Sequence, residues 1–571
     1  MSSIDLVSRE KPAGFDSTVA SLEAAGVNPW VARSLALRGV EDSAQALGDY
    51  RLEHYRELKD IHLVAITIAR GIVAGEKFVV VADYDCDGAT ACAVAVSGLR
   101  AFGANIDFVV PNRFIHGYGL TPSVVEVVAT MNPRWIVTVD NGTASNAGID
   151  AANALGIGVL VTDHHLPGPT LPAAAGIVNP NQPNCPFPSK NLAGVGVMYY
   201  VLAAVRDALR SLNALPSPEP NLSSWLDLVA LGTVADVVKL DANNRWLVRQ
   251  GLKLIRAGGA RPGVRALFDV SGKDWRRATS QDFGFSLGPR INAAGRLDDM
   301  TYGIRCLLAD TEEEALEYAY QLDEFNRRRK TIEGEMKEIA WEKIDLAGQA
   351  GKFTRVVFDP SFHEGVIGIV AGRIKEQENT PVFVLSPSGE EGIIKGSGRS
   401  IPGVHLRDAL DMVHKRGGEL FTKFGGHAMA AGVSLPLGRL DDFTRLLEEA
   451  VQELMDGQLS QKFLMVDGEL PSRALDLHTA QAFADQVWGQ GFEEPTFTGE
   501  FNVVEARLIG AEGNHLKMRV EIDGQEYDAL QFFCADLPGG DRVRLAYKLS
   551  VNEFNGRRAV NLLVSDKVVV G

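Results

Sequence analysis

Residues 78–88 have the sequence FVVVADYDCDG, in which an aliphatic run ends at three alternating aspartates. A short continuous apolar run followed by polar residues is typical of a strand buried on both faces of a parallel sheet. Two further stretches repeat this arrangement: residues 135–142 read WIVTVDNG and residues 157–165 read IGVLVTDHH. Helical stretches separate the three runs, and this alternation predicts an α/β domain built on a parallel sheet.

Acids and imidazoles follow all three predicted strands. Ligands of an open parallel sheet collect beyond the carboxyl ends of its strands, so we expect these side chains to share one edge. Asp236 ends the apolar segment 231–236 and is a further candidate for the same edge. The set comprises Asp83, Asp85, Asp87, Asp140, Asn141, Asp163, His164, His165 and Asp236.

So many carboxylates at one edge would repel one another without compensating cations. Carboxylates with one or two imidazoles and no thiolate favour Mn²⁺ or Mg²⁺ over zinc. Their number suits two ions, roughly 3.5–4 Å apart, that share a bridging carboxylate and clamp a phosphodiester for in-line attack. Taken singly, the first motif also fits a calcium loop or an acidic turn, and DNG is usually a turn. Their joint occurrence predicts a phosphoesterase.

The composition is that of a soluble multidomain protein. The 571 residues exceed what one hydrophobic core supports, and no apolar run approaches the ~20 residues of a membrane span. Residues 1–14 lack the apolar core of a secretory signal, which predicts a cytoplasmic protein. The five cysteines form no CxxC pair and are expected to be reduced. The net charge of −16 argues against a protein that coats duplex DNA, so any nucleic-acid site must be local.

Pattern changes divide the chain into five predicted segments. Residues 311–344 have helix formers throughout and predict one long helix, and a second α/β unit follows it. After about residue 460 the period becomes two, and five strand-like runs predict a small barrel of the OB type, with an SH3-like barrel as the alternative. The segments are an N-terminal helical cap (1–50), a catalytic domain (51–270), a loop with the connector helix (271–350), a smaller α/β domain (351–457) and the barrel (458–571).

The D-x-D, D-N-G and D-H-H motifs, together with the later Asp236, resemble the four motifs of the DHH phosphoesterase superfamily, which takes its name from the triplet at 163–165. Residues 362–368, FHEGVIG, and 424–432, FGGHAMAAG, resemble its associated domain. From about residue 30 to the C-terminus, the chain resembles the bacterial single-strand-specific exonucleases of the superfamily. The resemblance implies an α/β multidomain protein: a parallel-sheet DHH domain and a smaller DHH-associated domain joined by a long helix, plus a C-terminal OB-like barrel.

The resemblance also implies roles for the strand-end residues. Asp140 would bridge two metals, His165 would lie close by, and Asp163 and Asn141 would orient the ligands. Some relatives have a histidine where this chain has Val81, so one site is differently completed and Asp83 is a candidate substitute. The principal ligands implied are Asp85, Asp87, Asp140, His164 and Asp236.

Substrate-binding residues follow from the same resemblance. Ser397 and Arg399 of the second α/β domain, with Arg113 of the first, resemble a 5′-phosphate clamp, for which planar arginine is well suited. We interpret residues 288–296 as a glycine-punctuated loop that binds the strand backbone through Arg290, Asn292 and Arg296. His427 could donate to a phosphate or sugar. Cations on the barrel, interleaved with Tyr547 and Phe554, are compatible with single-stranded DNA.

The implied function is 5′-to-3′ hydrolysis of single-stranded DNA to 5′-mononucleotides in recombination and in DNA and mismatch repair. Partners implied are a single-stranded-DNA-binding protein and a recombination helicase, with the chain itself a monomer. One alternative is a small-substrate hydrolase, although such relatives usually lack the barrel and the long connector. Another is a metal-free replication scaffold, although such proteins typically lose the ligands that are present here.

Overall fold

The computed structural model describes residues 4–112, 116–346, 351–510, 513–554 and 556–569. The chain forms two compact units: residues 6–323 with 465–571, and residues 324–464 with the first five residues. None of the helices within the described ranges is long and apolar enough to cross a membrane.

The strands are Asp5–Ser8 (β1), Lys77–Ala82 (β2), Asn105–Val109 (β3), Trp135–Val139 (β4), Gly158–Thr162 (β5), Gly176–Val178 (β6), Arg355–Phe358 (β7), Val382–Pro387 (β8), Ile393–Arg399 (β9), Lys423–Gly426 (β10), Ala430–Pro436 (β11), Phe463–Val466 (β12), Phe497–Ile509 (β13), His515–Ile522 (β14), Gln525–Gln531 (β15), Arg542–Phe554 (β16) and Arg557–Val569 (β17).

The helices are Phe15–Ala24 (α1), Pro29–Ala36 (α2), Ser43–Leu47 (α3), Ile61–Val73 (α4), Cys86–Ala101 (α5), Pro122–Ala129 (α6), Asn146–Ala154 (α7), Gly194–Ser211 (α8), Leu226–Ala235 (α9), Ala242–Arg256 (α10), Pro262–Val270 (α11), Ser280–Asp282 (α12), Gly288–Leu297 (α13), Thr301–Leu308 (α14), Glu312–Leu346 (α15), Ile367–Glu378 (α16), Leu406–Gly417 (α17), Leu440–Leu454 (α18) and Leu477–Ala484 (α19).

The sheet of the larger unit is parallel throughout, in the order β3-β2-β4-β5-β6. The three predicted strands, β2, β4 and β5, are adjacent, so their carboxyl ends meet at one edge. Helices α4, α5 and α8 cover one face, while α6 and α7 cover the other through a core that includes Val81, Val128 and Ile149. The edge strands β3 and β6 were not predicted, because β3 carries polar Asn105 and Asp107 and β6 has three residues.

The interpretation of residues 288–296 as a loop is wrong. This segment is helix α13, preceded by a π-helical turn at Phe283–Leu287. Its glycines serve close packing rather than a turn: a Cβ at Gly295 would lie 2.0 Å from the carbonyl oxygen of Tyr84. Pro289 is tolerated because the first turn of a helix needs no amide hydrogen there.

The smaller unit contains a mixed sheet in the order β10-β11-β9-β8-β7, with β7 and β8 parallel and the other pairs antiparallel. Helices α17 and α18 bury Leu410 and Phe443 against this sheet, in a core with Phe383. Helix α15, predicted over 311–344, begins at Glu312 in the larger unit and runs into this one. The predicted fold class is thereby confirmed for both α/β domains and the connector.

The C-terminal strands close into a five-stranded barrel in the order β13-β14-β15-β17-β16. Closure runs through a parallel pairing of β15 with β17, as in the OB arrangement. Tyr547, expected to offer a surface for DNA bases, is fully buried with Phe501 in the barrel interior. The alternation of the sequence marks two faces of a strand, but it did not reveal which face the barrel encloses.

Candidate metal centre

The carboxyl edge of the parallel sheet gathers the strand-end acids and imidazoles. Three groups have ligand atoms within 4.8 Å of one another: Asp83 with Asp85 and Asp140, Asp87 with His164 and Asp236, and Asp140 with His164 and His165. Because Asp140 and His164 each belong to two groups, the three form one continuous cluster. Every strand-end acid named above therefore lies in it or beside it.

Asp140 lies at the centre of this cluster and is almost fully buried. Its backbone has φ of 62°, a left-handed conformation that is costly for a residue other than glycine. Its Oδ1 lies 3.1 Å from Nε2 of His164, yet neither buried atom has an aligned hydrogen-bond partner. A Cβ at Gly194 would lie 2.7 Å from the same Oδ1, so only glycine fits beside it. Two buried ligand atoms that face each other without an aligned hydrogen-bond partner, Oδ1 of Asp140 and Nε2 of His164, suit a cation bound between them.

Asp87 is held by the N-terminus of α8. Its Oδ2 accepts from the amide of Gly194 at 2.6 Å and its Oδ1 from that of Val195 at 2.9 Å. These amides stabilise the ionised form, as helix N-termini do for anions. Burial and the nearby Asp85 carboxylate nevertheless raise the pKa of Asp87 to about 7. A divalent cation bound beside Asp87 would favour the ionised carboxylate instead.

His164 enters the cluster as a neutral ring. Burial and the charge of His165 lower the pKa of His164 to about 4, and neutral imidazole is the form that ligates metals. Its Nε2 lies 3.6 Å from Oδ2 of Asp236 and 3.9 Å from Oδ2 of Asp87. Asn181 fixes the local backbone by donating to the His164 carbonyl at 2.6 Å.

Asp163 supports the two histidines. It accepts hydrogen bonds from the amide of Thr143, from the amides of His164 and His165, and from Nδ1 of His165 at 2.8 Å. Burial would raise the pKa of Asp163, but these bonds and the His165 charge outweigh it and lower that pKa. Burial conversely disfavours the charged ring of His165, yet Asp163 raises the pKa of His165 to about 9. The pair fixes the ring of His165 beside the cluster.

Asn141 ties two strand ends together. Its Nδ2 donates to the carbonyls of Val81 and Val139, at the ends of β2 and β4, at 3.1 and 2.9 Å. These bonds hold the loop after Asp140 against the loop that carries Asp83. The Asn141 side chain thus ties the two strand ends that carry Asp83 and Asp140.

Asp83 lies within ligand distance of Asp85 and Asp140, whereas Val81 points into the core. Burial and the Asp85 charge raise the pKa of Asp83 well above its ordinary value. Burial also raises the pKa of Asp140 and Asp236, and the Asp87 charge adds to this in both. A set of carboxylates whose charged forms are disfavoured by burial and mutual repulsion fits divalent cations, which would compensate that charge.

The three predicted DNA contacts of the 288–296 segment, Arg290, Asn292 and Arg296, all lie on helix α13. Oδ1 of Asn292 accepts the amide hydrogen of Cys86 at 2.7 Å, so this side chain holds the aspartate-rich loop. Arg290 binds Asp323 through Nε at 2.9 Å and donates to the carbonyl of Ser286 at 2.7 Å. Arg296 lies in the last turn of the same helix. Arg113 lies outside the described residues.

In the smaller unit, Ser397 and Arg399 project from β9 toward the start of α16. The Arg399 guanidinium donates to Oγ of Ser397 at 3.1 Å, and a Cβ at Gly368 would lie 2.9 Å from both side chains. His427 occupies the exposed turn between β10 and β11. An arginine, a hydroxyl and a helix N-terminus together can bind an anion.

Sequence reasoning missed two contributors to the site. The hydroxyl of Tyr118 lies 3.3 Å from Nε2 of His165 in a hydrogen bond, and its ring packs edge-on against Tyr84. Its only signal was an aromatic residue between two glycines at 117–119. The Gly194 and Val195 amides gave no signal, because a backbone donor has no side chain to recognise.

Family models match three parts of the chain: the N-terminal domain of the DHH family at 77–233, the DHHA1 domain at 350–453 and the RecJ OB domain at 466–566. A curated relative from Dickeya dadantii, the single-stranded-DNA-specific exonuclease RecJ, is 46% identical over 552 residues, covering 93% of this chain and 94% of the relative. This chain belongs to the RecJ family.

Solved RecJ structures agree with this membership. RecJ from Thermus thermophilus in complex with Mn²⁺ has a TM-score of 0.82 and 29% identity, covering 99% of this chain and 79% of that one. The complex of the same protein with Mg²⁺ has a TM-score of 0.75 and 27% identity, covering 99% and 78%. The fold therefore extends over nearly the whole of this RecJ-family chain.

Proposed function

We propose that this chain is a metal-dependent exonuclease specific for single-stranded DNA, which it degrades from the 5′ end to 5′-mononucleotides. The observation that carries the proposal is the continuous carboxylate and histidine cluster centred on Asp140, in a chain of the RecJ family. The reaction class is phosphodiester hydrolysis with two Mn²⁺ or Mg²⁺ ions, acting in DNA recombination and repair.

The chain supplies a ligand set suited to two divalent ions. Asp83, Asp85 and Asp140 would hold one, and Asp87, His164 and Asp236 the other, with Asp140 close to both groups. When bound, the ions supply the positive charge that stabilises the attacking and leaving oxygens of an in-line displacement. Asn141, Asp163 and the amides at the start of α8 keep the ligands in place without a metal.

His165 is positioned to contact the substrate. Its Nδ1 is turned toward Asp163, which leaves Nε2 on the side of the Tyr118 hydroxyl. Because Asp163 favours the charged ring, His165 can donate a hydrogen bond to a phosphate oxygen, and the positive charge strengthens that bond. We assign His165 to phosphate binding and His164 to metal binding.

Recognition of the 5′ end is assigned to the smaller unit. Ser397 and Arg399 present a hydroxyl and a guanidinium at the N-terminus of a 12-residue helix, a combination suited to a terminal phosphate. Burial lowers the pKa of Arg399, and no carboxylate ion pair is found for it among the described residues. His427, in the same unit, completes this assignment, and the resemblance adds Arg113 as a further candidate for phosphate binding.

The cellular setting is a further part of the proposal. The five cysteines are all free thiols, which suits a reducing cytoplasm. An acidic chain working on an acidic polymer gains from partners that present the strand, and we propose a single-stranded-DNA-binding protein and a recombination helicase. We further propose that the chain acts as a monomer.

The test is degradation of a 3′-labelled single-stranded oligonucleotide with Mn²⁺ or Mg²⁺, in 5′-phosphorylated and 5′-hydroxyl forms, beside the duplex. Progressive shortening from the 5′ end, absent with chelator and on duplex, is the expected result. Arg399→Ala should raise KM about tenfold for the 5′-phosphorylated strand and leave KM for the 5′-hydroxyl strand unchanged. Shortening of a 5′-labelled strand from its 3′ end would contradict the polarity.

A further inference from the structure

Phe285 is an exposed aromatic residue in an unusual backbone segment. Its side chain is 83% exposed, although a phenylalanine ordinarily contributes to the core. It lies in the π-helical turn Phe283–Leu287, whose end residues Phe283 and Leu287 are fully buried. Such turns are rare and are frequently found at functional sites.

The π-helical turn packs directly on the end of the helix that delivers Asp236. A Cβ at Gly284 would lie 3.6 Å from Cγ1 of Val234, and one at Gly288 would lie 3.0 Å from Cβ of Ala235. The turn and the first residue of α13 therefore lie against the two residues that immediately precede Asp236 in the chain.

Both ends of this turn are anchored. Before it, the Asp282 carboxylate accepts hydrogen bonds from the amide and the hydroxyl of Thr279, both at 2.8 Å. After it, α13 is tied to the aspartate-rich loop through Asn292 and Cys86. The turn that carries Phe285 therefore lies between two anchored segments of backbone.

A second exposed apolar side chain follows Asp236 directly. Val237 is 60% exposed and has φ of 65°, a conformation that β-branched residues rarely adopt. Strained residues of this kind concentrate at ligand sites. Asp236 is thus followed by an exposed aliphatic group, and the turn packed against its helix carries an exposed aromatic one.

We propose that Phe285, in the turn packed against the helix that ends at Asp236, is the surface on which a base of the substrate strand stacks near the scissile phosphate. The inference rests on the proposed function and names how that site recognises its strand. Any strand whose phosphate reaches Asp236 brings a base past this edge, and stacking accepts every base because each has a π face.

This arrangement adds a reason for strand selectivity inside the catalytic domain. A base that stacks on a phenylalanine must leave its own stack and its pairing partner, which costs more free energy in a duplex than in a single strand. The preferred substrate is therefore an unpaired, base-bearing strand of any sequence. A strand with an abasic residue at the stacked position should be a poorer substrate.

The test compares Phe285→Ala and Phe285→Trp with Leu155→Ala, which removes an exposed side chain next to the start of β5, at the opposite edge of the sheet. Phe285→Ala should raise KM for a single-stranded oligonucleotide about tenfold, whereas Phe285→Trp and Leu155→Ala should stay near the original value. A second series of oligonucleotides carries one abasic residue, moved stepwise from the 5′ end. When the abasic residue is at the stacked position, the original chain and Phe285→Ala should have the same KM.

A binding measurement separates this inference from the proposed function. 2-Aminopurine at the position found above should be quenched when the oligonucleotide binds an Asp140→Asn chain, and adding Phe285→Ala should remove the quenching. Equal KM and equal quenching with and without Phe285 would overturn the inference. The inference would also fail if Phe285→Ala raised KM by the same factor on intact and on abasic strands. Absence of nuclease activity in the original chain would instead refute the proposed function, and quenching would still decide the role of Phe285.

Discussion

The loops at the strand ends and the segment 283–297 build the same site in different ways. The strand ends supply charged side chains, and the parallel sheet brings them together because its strands all point one way. The segment 283–297 supplies a helix held close by glycine, a single amide oxygen at Asn292 and an exposed ring at Phe285. The first region carries the chemistry, and the second fixes the loop that carries it.

This difference indicates what each region can tolerate. A ligand in the first region would hold an ion that acts on the reacting phosphate, so its loss should remove transition-state stabilisation. A residue of the second region acts through the aspartate-rich loop, so its loss weakens metal binding by a limited factor. Substitutions in the two regions should therefore differ in the size of their effects and in whether they change catalysis or metal binding.

The largest effect is expected for Asp140→Asn. This change keeps the shape of the side chain and tolerates the left-handed backbone, but it removes the charge shared by two ligand groups. kcat on single-stranded DNA should fall on the order of 10³-fold or more. The melting temperature without metal should not fall, because a buried charge is removed. Activity above a tenth of the original would show that Asp140 is not a central ligand.

A smaller loss of activity is expected for Asn292→Ala, which removes the acceptor of the Cys86 amide hydrogen bond. The Mn²⁺ concentration for half-maximal activity should rise about tenfold, and excess metal should restore most of kcat. The matched control is Arg290→Ala on the same helix, whose partners are Asp323 and Ser286 instead of the aspartate-rich loop. If both variants shift the metal requirement equally, the effect belongs to the helix and not to the Asn292 bond.

The sequence predicted the two regions to very different extents. Asp83, Asp140 and His164 were predictable because an apolar run followed by an acid fixes both the strand and the edge at which it ends. Asp236 was less certain, because it ends a helix and its return to the same edge depends on tertiary packing.

The second region was misassigned for a physical reason. Glycines at 288 and 295 indicate a loop when they are read locally, whereas here they let α13 approach Ala235 and Tyr84. The role of Asn292 depends on a contact with Cys86, 206 residues away in sequence, and spacing carries no information about such a contact. Side-chain chemistry was thus readable from the sequence, but the packing that supports it was not.

Metal binding should stabilise the chain in a manner that depends on pH. The folded-state pKa of Asp87, about 7, lies above the ordinary 3.8, so the metal-free fold loses stability as pH rises from about 4 through 7. A divalent ion replaces the proton, and saturating Mn²⁺ should raise the melting temperature by a few degrees more at pH 8 than at pH 6. Thermal unfolding followed by fluorescence measures this difference. An equal rise in melting temperature at both pH values would contradict carboxylate ligation. In the Asp140→Asn variant, the rise caused by Mn²⁺ should be smaller at each pH.

The smallest effect is expected in the barrel, where cations were predicted to track the strand. Arg542 lies 2.7 Å from Glu500 on the neighbouring strand, so its charge is already paired at an exposed site. Arg542→Ala should change KM for single-stranded DNA less than about twofold and leave the salt dependence of KM unchanged.

Phe533 of the barrel differs from Arg542, because it is 87% exposed and its amide is held by Nδ1 of His515 at 3.1 Å. Phe533→Ala should therefore raise KM more than Arg542→Ala does, and the reverse order would show that the barrel holds DNA by charge rather than by stacking.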